Sequence, residues 1–478
     1  MPGQGIAGMG WMQEQQRDEQ AQPQAGSGSG VLYAPWERAF ARVLTPFEEF
    51  IRSQTSGGLL LMACTVIALL LANSALAPRY LALLQLPVGI GIGSWRLEMS
   101  LHHWINEGLM AFFFFVVGLE LKREMLVGEL AEPRQAALPV AAALGGMAVP
   151  ALIFLGFNAG GDAVQGWGIP MATDIAFAAG ALVLLAARVP RGLIVFLVAL
   201  AIVDDLGAVL VIALFYTRDL AIPWLAGAAA VAAGLMVLNL AGVRRILPYF
   251  LLAVALWFTL LQSGVHATLA GVIGAFTVPA RPKYDPALFS TQLRRMTERF
   301  DASRAPGGGI MVNEEMRATV QALESGVVAV QAPLQRLEHI WHLPVAFGVV
   351  PVFALFNAGI PLESSALGAA FRHPVALGVT VGLVLGKFIG VTAASWLVLR
   401  LGLAQLPAQT RMAQIAAVGL LAGIGFTMSI FIAELAYAGQ PQYLLLAKTG
   451  IIAASLIAGV AGMAWLWLLG SVRRGGLR

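Results

Sequence analysis

Long apolar blocks follow one another along most of this chain, separated by charged residues, proline or glycine. A helix that crosses a bilayer needs about 20 apolar residues. Twelve such blocks lie near residues 57–77, 101–121, 135–157, 167–187, 192–216, 221–240, 246–263, 265–281, 342–358, 374–399, 412–434 and 443–470. The pattern predicts an all-α integral membrane protein with twelve transmembrane helices in one domain, residues 57–470.

The polar segments outside these blocks each suggest a different structure. Residues 1–30 are rich in Gln and Gly and lack the apolar core of a signal peptide, which predicts a disordered tail. Residues 31–56 place apolar side chains at helical spacing among Arg and Glu, as in an interfacial amphipathic helix. Residues 283–336 form a polar, partly helical cytoplasmic insert, and residues 471–478 form a cytoplasmic tail.

The segment 86–98 alternates apolar residues with glycine around Gly93-Ser94. This pattern predicts a short β-hairpin outside the membrane, although a simple ordered loop is an equal alternative. An open hairpin edge invites pairing with a second copy, so we expect a homodimer through this segment.

Composition excludes a soluble protein, and the distribution of charge orients the chain. Hydrophobic residues make up 58% and charged residues only 12%, against about a quarter charged in soluble domains. The net charge of +4 does not indicate a nucleic-acid partner, because 24 of the 30 Lys and Arg fall in the two tails and in alternate connections. Basic residues mark cytoplasmic loops. We therefore expect a bacterial inner-membrane protein with both termini in the cytoplasm.

Four charged residues lie where a membrane helix should be apolar. An ionised side chain at the bilayer centre costs roughly 3 kcal/mol. Asp204, with its neighbour Asp205, lies about 18 Å into the fifth block at 1.5 Å per residue, and Lys387 and Asp174 reach similar depths. Adjacent helical residues point about 100° apart, so one aspartate of the pair can face Lys387 and the other Asp174.

Three carboxylates against one ammonium leave a formal charge of −2 at this depth. Each buried carboxylate disfavours ionisation of the next, so the group needs bound protons or cations. A cation favours loss of the proton and a proton displaces the cation, which predicts exchange of the two. Structural ion pairing with Lys387 is the alternative, but it accounts for only one of the aspartates.

Two of the blocks are interrupted close to these charges. Gly and Pro precede Asp174 in the fourth block, and Gly423 and Gly425 precede Thr427 in the eleventh. Interrupted helices in matching places of two halves mark transporter binding sites. Asp174 can offset the positive ends of half-helices and Lys387 the negative ends. Glycine that only allows close helix packing is the alternative.

Several motifs resemble the NhaA-type sodium/proton antiporters, from about Phe47 to the last block. They are Ala172-Thr173-Asp174-Ile175-Ala176-Phe177, Ala201-Ile202-Val203-Asp204-Asp205-Leu206-Gly207-Ala208, Gly118-Leu119-Glu120, Val265-His266-Ala267-Thr268, Leu385-Gly386-Lys387 and Gly423-Ile424-Gly425-Phe426-Thr427-Met428-Ser429. The resemblance implies two inverted-topology repeats, spans three to five and ten to twelve, with two discontinuous helices that cross at the midplane.

The resemblance also implies a role for each site residue. Asp205 would be the principal carboxylate for sodium or lithium, and Asp204 the proton-carrying partner of Lys387, itself a candidate proton carrier. Support at the crossing would come from Thr173, Asp174, Gly423, Gly425 and Thr427. The activity implied is electrogenic exchange by a secondary transporter, not an enzyme, without a cofactor. A sodium-coupled symporter of an organic anion is the alternative, but the blocks hold no added basic residues for an anion.

Activation at alkaline pH is a further implication of the resemblance. The residues at matching positions are Glu120, Arg123, Glu124, His266, Glu338, His339 and His342. Ordinary solvated loop charge is the alternative interpretation for the cytoplasmic ones, and His266 is equally a satisfied polar side chain between helices. The chain departs from the family pattern at His342-Leu343-Pro344, where we expect His-Pro-Trp.

Overall fold

The computed structural model describes residues 54–475, apart from 93–94, 218–219, 282–285, 304–312, 362–367 and 369. The chain divides into two units, Met1–Arg52 and Ser53–Arg478, and the described residues belong to the second. The predicted tail 1–30 and nearly all of the predicted interfacial segment 31–56 lie outside the described residues.

The described residues are mostly helical. The helices are α1 (Gln54–Ala72), α2 (Ala77–Leu84), α3 (Leu101–Val127), α4 (Pro133–Asn158), a 3-10 half-helix (Asp162–Met171), α5 (Ile175–Leu184), a 3-10 turn (Ala186–Arg188), α6 (Arg191–Phe215), α7 (Ile222–Leu240), α8 (Ile246–Ser263), α9 (Leu269–Thr277), α10 (Pro286–Ala302), α11 (Glu314–Val330), α12 (Pro333–Asn357), α13 (Pro374–Arg400), α14 (Met412–Leu421), α15 (Phe426–Ala436) and α16 (Pro441–Gly475). The helices α10 and α11 occupy the predicted insert. The first turn of α12 also falls within the range 283–336, and α16 continues into 471–478.

The number of membrane-crossing helices in the described part is nine to eleven. Nine helices are long and apolar enough, and the bent pairs α1–α2 and α14–α15 raise the number to eleven if each pair is one span. The predicted span 265–281 contains only the nine-residue α9. At 1.5 Å per residue α9 rises about 14 Å, which is less than half of a 30 Å hydrocarbon core. Twelve transmembrane helices are therefore not confirmed among the described residues.

Local sequence explains where several of these helices start and bend. Pro133, Pro333 and Pro374 stand in the first turns of α4, α12 and α13, where a missing N–H costs nothing. A π-helical turn, Gly382–Gly386, immediately precedes Lys387 in α13. Such turns are rare and often mark functional sites.

The buried apolar residues of the described part form one large cluster and three smaller ones. The large cluster joins α3–α6 with α12–α16, and a separate cluster joins α7, α8 and α9 through residues such as Leu235 and Leu256. Outside these clusters, leucines such as Leu210, Leu240 and Leu251 are 58–79% exposed. Contiguous exposed apolar surface is rare on soluble proteins, so these side chains fit contact with lipid.

The predicted hairpin is confirmed. Strands β1 (Pro87–Ile92) and β2 (Trp95–Ser100) pair antiparallel, with Ile92 opposite Trp95 and Pro87 opposite Ser100. Ser100 then begins α3, because its Oγ accepts a hydrogen bond from the His103 backbone N–H at 3.2 Å. The predicted Gly93-Ser94 turn lies outside the described residues.

Candidate ion-binding site

The four charges singled out in the sequence all lie near the middle of their candidate membrane spans. Asp204 and Asp205 are residues 14 and 15 of the 25 in α6, and Lys387 is residue 14 of the 27 in α13. Asp174 occupies the break between the 3-10 half-helix and α5. All four side chains are buried, with at most 2% of any residue exposed.

Asp174 caps two half-helices at once. One carboxylate oxygen accepts the Phe177 N–H at 3.0 Å, at the first turn of α5. The other accepts the Thr427 N–H at 3.0 Å and the Thr427 hydroxyl at 2.6 Å, at the first turn of α15. The two positive helix ends therefore share one anion, which satisfies backbone N–H groups and offsets both dipoles.

The two broken helices are also tied through their backbones. The Asp174 N–H donates to the Ile424 carbonyl at 2.7 Å. The axes of α14 and α15 differ by 49° across the connection that holds Gly423 and Gly425. A Cβ on Gly425 would lie 2.9 Å from the Ala172 carbonyl oxygen, so the crossing requires a residue without a side chain there.

Asp204 has two partners on a single oxygen. Its Oδ2 accepts hydrogen bonds from the Lys387 ammonium and, at 2.6 Å, from the Thr173 hydroxyl. The Thr173 hydroxyl also lies 2.9 Å from the Ala422 carbonyl, at the C-terminal end of α14. A hydroxyl carries one proton and donates to one acceptor at a time. Whether the Thr173 hydroxyl donates to Asp204 or to the Ala422 carbonyl therefore depends on whether Asp204 is charged.

Asp205 has no such partners. Both of its carboxylate oxygens, and Asp204 Oδ1, are buried without a hydrogen bond from any described residue. A buried charge without a partner is strongly unfavourable, so these oxygens need a proton or a cation. Oxygen ligands of this kind suit hard cations. With Asp174 fully used in capping, Asp205 and Asp204 Oδ1 are the available acceptors in this group.

The predicted pH-responsive residues do not all come together. Arg123 joins Glu124 at 2.8 Å and Glu338 at 3.0 Å, which links α3 to α12. His342 lies 4.0 Å from Glu120 in the same region. These five residues form one charged cluster, called here the α3–α12 cluster.

The other two predicted histidines lie elsewhere. His339 is exposed and has no ion pair or hydrogen bond among the described residues. His266 contacts Glu107, with 3.3 Å between Nδ1 and Oε1, and its Nε2 lies 3.0 Å from the Tyr216 carbonyl. Glu107 precedes Glu120 by 13 residues in α3, about 20 Å along the axis, so His266 lies far from the α3–α12 cluster.

Sequence reasoning missed a further largely buried acid, Glu434. Glu434 in α15 pairs with Lys448 in α16 at 2.6 Å and lies 3.6 Å from His102 in α3. It also missed Glu107, the partner of His266. Both acids stand inside or at the edge of predicted apolar blocks, so a search for every charge within the blocks would have found them.

Known proteins match this chain over the region that contains these residues. A family model described as Na+/H+ antiporter 1 matches residues 48–466, a range that includes every site residue described above.

Three relatives illustrate the similarity. The chain is 55% identical to a Na(+)/H(+) antiporter NhaA 1 of Saccharophagus degradans over 91% of this chain and 94% of the relative. It is 50% identical to a Na(+)/H(+) antiporter NhaA of Sulfurimonas denitrificans over 91% and 98%. It is 45% identical to one of an Anaeromyxobacter species over 88% and 91%.

Proposed function

This chain belongs to the Na+/H+ antiporter 1 family, and from that premise we propose that it exchanges sodium for protons across the bacterial inner membrane. The exported cation is sodium or lithium, and protons enter in return. The observation that carries this function is the set of three buried carboxylate oxygens on Asp204 and Asp205 without partners. The family assignment gives no support to a symporter of an organic anion.

The exchange follows from the unequal surroundings of the two aspartates. Sodium binds Asp205, whose charge no lysine neutralises, and takes a further oxygen from Asp204 Oδ1. A cation there favours the ionised carboxylates, so protons leave when sodium enters. When the site opens to the other side, protons displace sodium. The cation cannot stay bound once both carboxylates are neutral.

Electrogenic exchange follows from the number of titratable groups. Asp205 and the Asp204–Lys387 pair can together hold more than one proton, whereas the proposed site takes one cation. More protons than sodium ions therefore move in each cycle, and the membrane potential drives the exchange.

The proposed architecture has twelve spans, in which residues 265–281 complete the eighth around α9. Spans three to five and ten to twelve form two inverted repeats. Support comes from one interrupted helix in each half, the two meeting at Asp174. Both termini lie in the cytoplasm, and two copies pair through the hairpin 86–98.

Activation at alkaline pH arises from changes of charge in the α3–α12 cluster. Arg123 holds carboxylates on two helices, so loss or gain of charge there changes how α3 packs on α12. His266 with Glu107 contributes at the opposite end of α3.

The test uses purified protein in liposomes that carry a pH-sensitive dye. Addition of sodium at alkaline pH should drive proton movement, lithium should replace sodium, and the movement should respond to an imposed potential. Asp205→Asn should remove the signal while the protein still purifies as a folded species. Absence of a sodium-driven signal from the wild type would refute the exchange function.

A further inference from the structure

The first half of the broken fourth span is an unusually long 3-10 helix, Asp162–Met171. Runs of this helix beyond three or four residues are uncommon, because its hydrogen bonds have poorer geometry. It rises 2.0 Å per residue against 1.5 Å in an α-helix. Ten residues therefore cover about 20 Å instead of about 15 Å. The chain then runs directly into Thr173 and Asp174.

Two tyrosines from other helices hold the backbone of this half-helix. Tyr216, the C-cap of α6, donates its hydroxyl hydrogen to the Gln165 carbonyl at 2.8 Å and accepts the Gly168 N–H at 3.2 Å. Tyr437, the C-cap of α15, donates to the Ala163 carbonyl at 2.8 Å. Both tyrosines are buried, with 5% and 1% of the residue exposed.

The half-helix is shaped to receive these hydroxyls. A Cβ on Gly166 would lie 2.6 Å from Tyr437 Cζ, and a Cβ on Gly168 would lie 2.7 Å from the Tyr216 hydroxyl oxygen. Any larger residue at either position would push a tyrosine away. Glycine here is therefore required by the approach of the two rings, beyond any general use of glycine in membrane helices.

We infer that Tyr216 and Tyr437 are positioning residues for the ion-binding site, an inference that rests on the proposed exchange function. Neither touches the aspartate pair. Their hydroxyls keep the half-helix in its extended form, and this form delivers Thr173 and Asp174 to the depth of Asp204. Tyr216 ends the helix that carries the aspartates, and Tyr437 ends the helix whose first turn binds Asp174. The half-helix is thus held by both helices with which it builds the site.

Loss of one hydroxyl leaves backbone groups of the half-helix without partners. The extended form then competes with shorter, α-like forms, in which Thr173 and Asp174 are withdrawn by up to about 5 Å. Sodium binds only the aligned fraction, so its apparent affinity falls in proportion to that fraction. From the usual contribution of one neutral hydrogen bond, the KM for sodium should rise roughly threefold to tenfold for each hydroxyl. The maximal rate should change by less than about twofold.

The experiment compares Tyr216→Phe and Tyr437→Phe with Tyr443→Phe. Tyr443 is the matched control, because its ring lies 5.5 Å from that of Tyr437 and its hydroxyl has no hydrogen bond among the described residues. The sodium KM and maximal rate are measured in liposomes, and deuterium uptake is measured on the peptide that covers residues 162–171. The first two variants should raise both the KM and the uptake of that peptide, while the control leaves both at the wild-type level. Wild-type values in Tyr216→Phe and Tyr437→Phe, or equal changes in the control, would overturn the inference.

A second pair of variants approaches the contact from the glycine side. Gly168→Ala should raise the sodium KM by pushing Tyr216 away. Removal of the hydroxyl oxygen leaves the nearest Tyr216 atoms 3.4 Å from that Cβ, so Gly168→Ala with Tyr216→Phe should be no worse than Tyr216→Phe alone. Effects that multiply would contradict the assigned contact. Absence of exchange by the wild type would instead refute the proposed function, and deuterium uptake would still report on the tyrosines.

Discussion

Two groups of buried charged side chains in this protein, one around Asp205 and one around Glu434, differ in the balance of their charges. At the centre, the single ammonium of Lys387 pairs with Asp204, while Asp205 has no partner among the described residues. Near the end of α15 and the start of α16, Glu434 has Lys448 at 2.6 Å and His102 at 3.6 Å. The first group has anions to spare and the second has none. The comparison indicates that a buried acid marks an ion site only where its charge is left without a partner.

The largest effect should come from removing the spare anion. Asp205→Asn deletes the charge without changing the size of the side chain, so exchange should fall at least about 100-fold, consistent with loss of a buried charged ligand. Glu434→Gln is the matched control and should keep exchange within about twofold. Proton movement in liposomes measures both. Exchange lost equally in the two variants would remove the distinction between the two groups.

Breaking the central ion pair should cost the most stability. Lys387→Met leaves Asp204 buried without its cation, and loss of one partner of a buried pair typically costs about 3–5 kcal/mol. Thermal unfolding in detergent should therefore occur well below the wild-type temperature. Asp204→Asn combined with Lys387→Met should recover much of the loss. A Lys387→Met variant as stable as the wild type would show that the pair is not the fully buried contact seen here.

The pair of Glu434 and Lys448 should contribute to stability and not to transport. Glu434→Gln leaves Lys448 without its anion, and both side chains remain 11% exposed, so the cost should be smaller, about 1–3 kcal/mol. Unfolding temperature should fall while the sodium KM stays constant. A changed KM with unchanged stability would place Glu434 in the transport path.

A smaller effect is expected from the hydroxyl that lies between Asp204 and the end of α14. Thr173→Val removes the hydrogen bond to Asp204 at the same volume, so the sodium KM should rise roughly threefold to tenfold. Thr173→Ser should restore it. A serine variant as impaired as the valine variant would assign the effect to packing.

The smallest effect concerns the α3–α12 cluster. Arg123→Gln removes a partly exposed cation that joins two carboxylates, and such pairs contribute little, so the midpoint of the pH profile should move by about half a pH unit. His339→Gln should not move it, since that histidine has no ion pair among the described residues. A shift of the midpoint in His339→Gln but not in Arg123→Gln would place the pH response at His339 and not in the α3–α12 cluster.

The sequence predicted the helical membrane fold and singled out the buried residues Asp174, Asp204, Asp205 and Lys387, and it offered the hairpin as one of two equal alternatives. These predictions depend on periodicity and on the high cost of a buried charge, and both are visible in a linear chain. The pairing of Glu434 with Lys448 was not predicted, because it depends on how α15 and α16 pack. The hydrogen bonds of Tyr216 and Tyr437 to the backbone of the 3-10 half-helix were missed for the same reason. The pairing of Lys387 with Asp204, which the family resemblance implied, is present, and Thr173 links the same carboxylate oxygen to the Ala422 carbonyl at the end of α14.

Competition of sodium and protons for Asp205 can be measured by calorimetric titration of the purified protein with sodium, run at one alkaline pH in two buffers with different heats of ionisation. The difference between the two heats counts the protons released for each sodium bound. The wild type should bind sodium and release protons, because both ligands compete for the carboxylate of Asp205. Asp205→Asn should show neither a heat of sodium binding nor a release of protons. Sodium binding of unchanged affinity in Asp205→Asn, or binding to the wild type without proton release, would contradict the account.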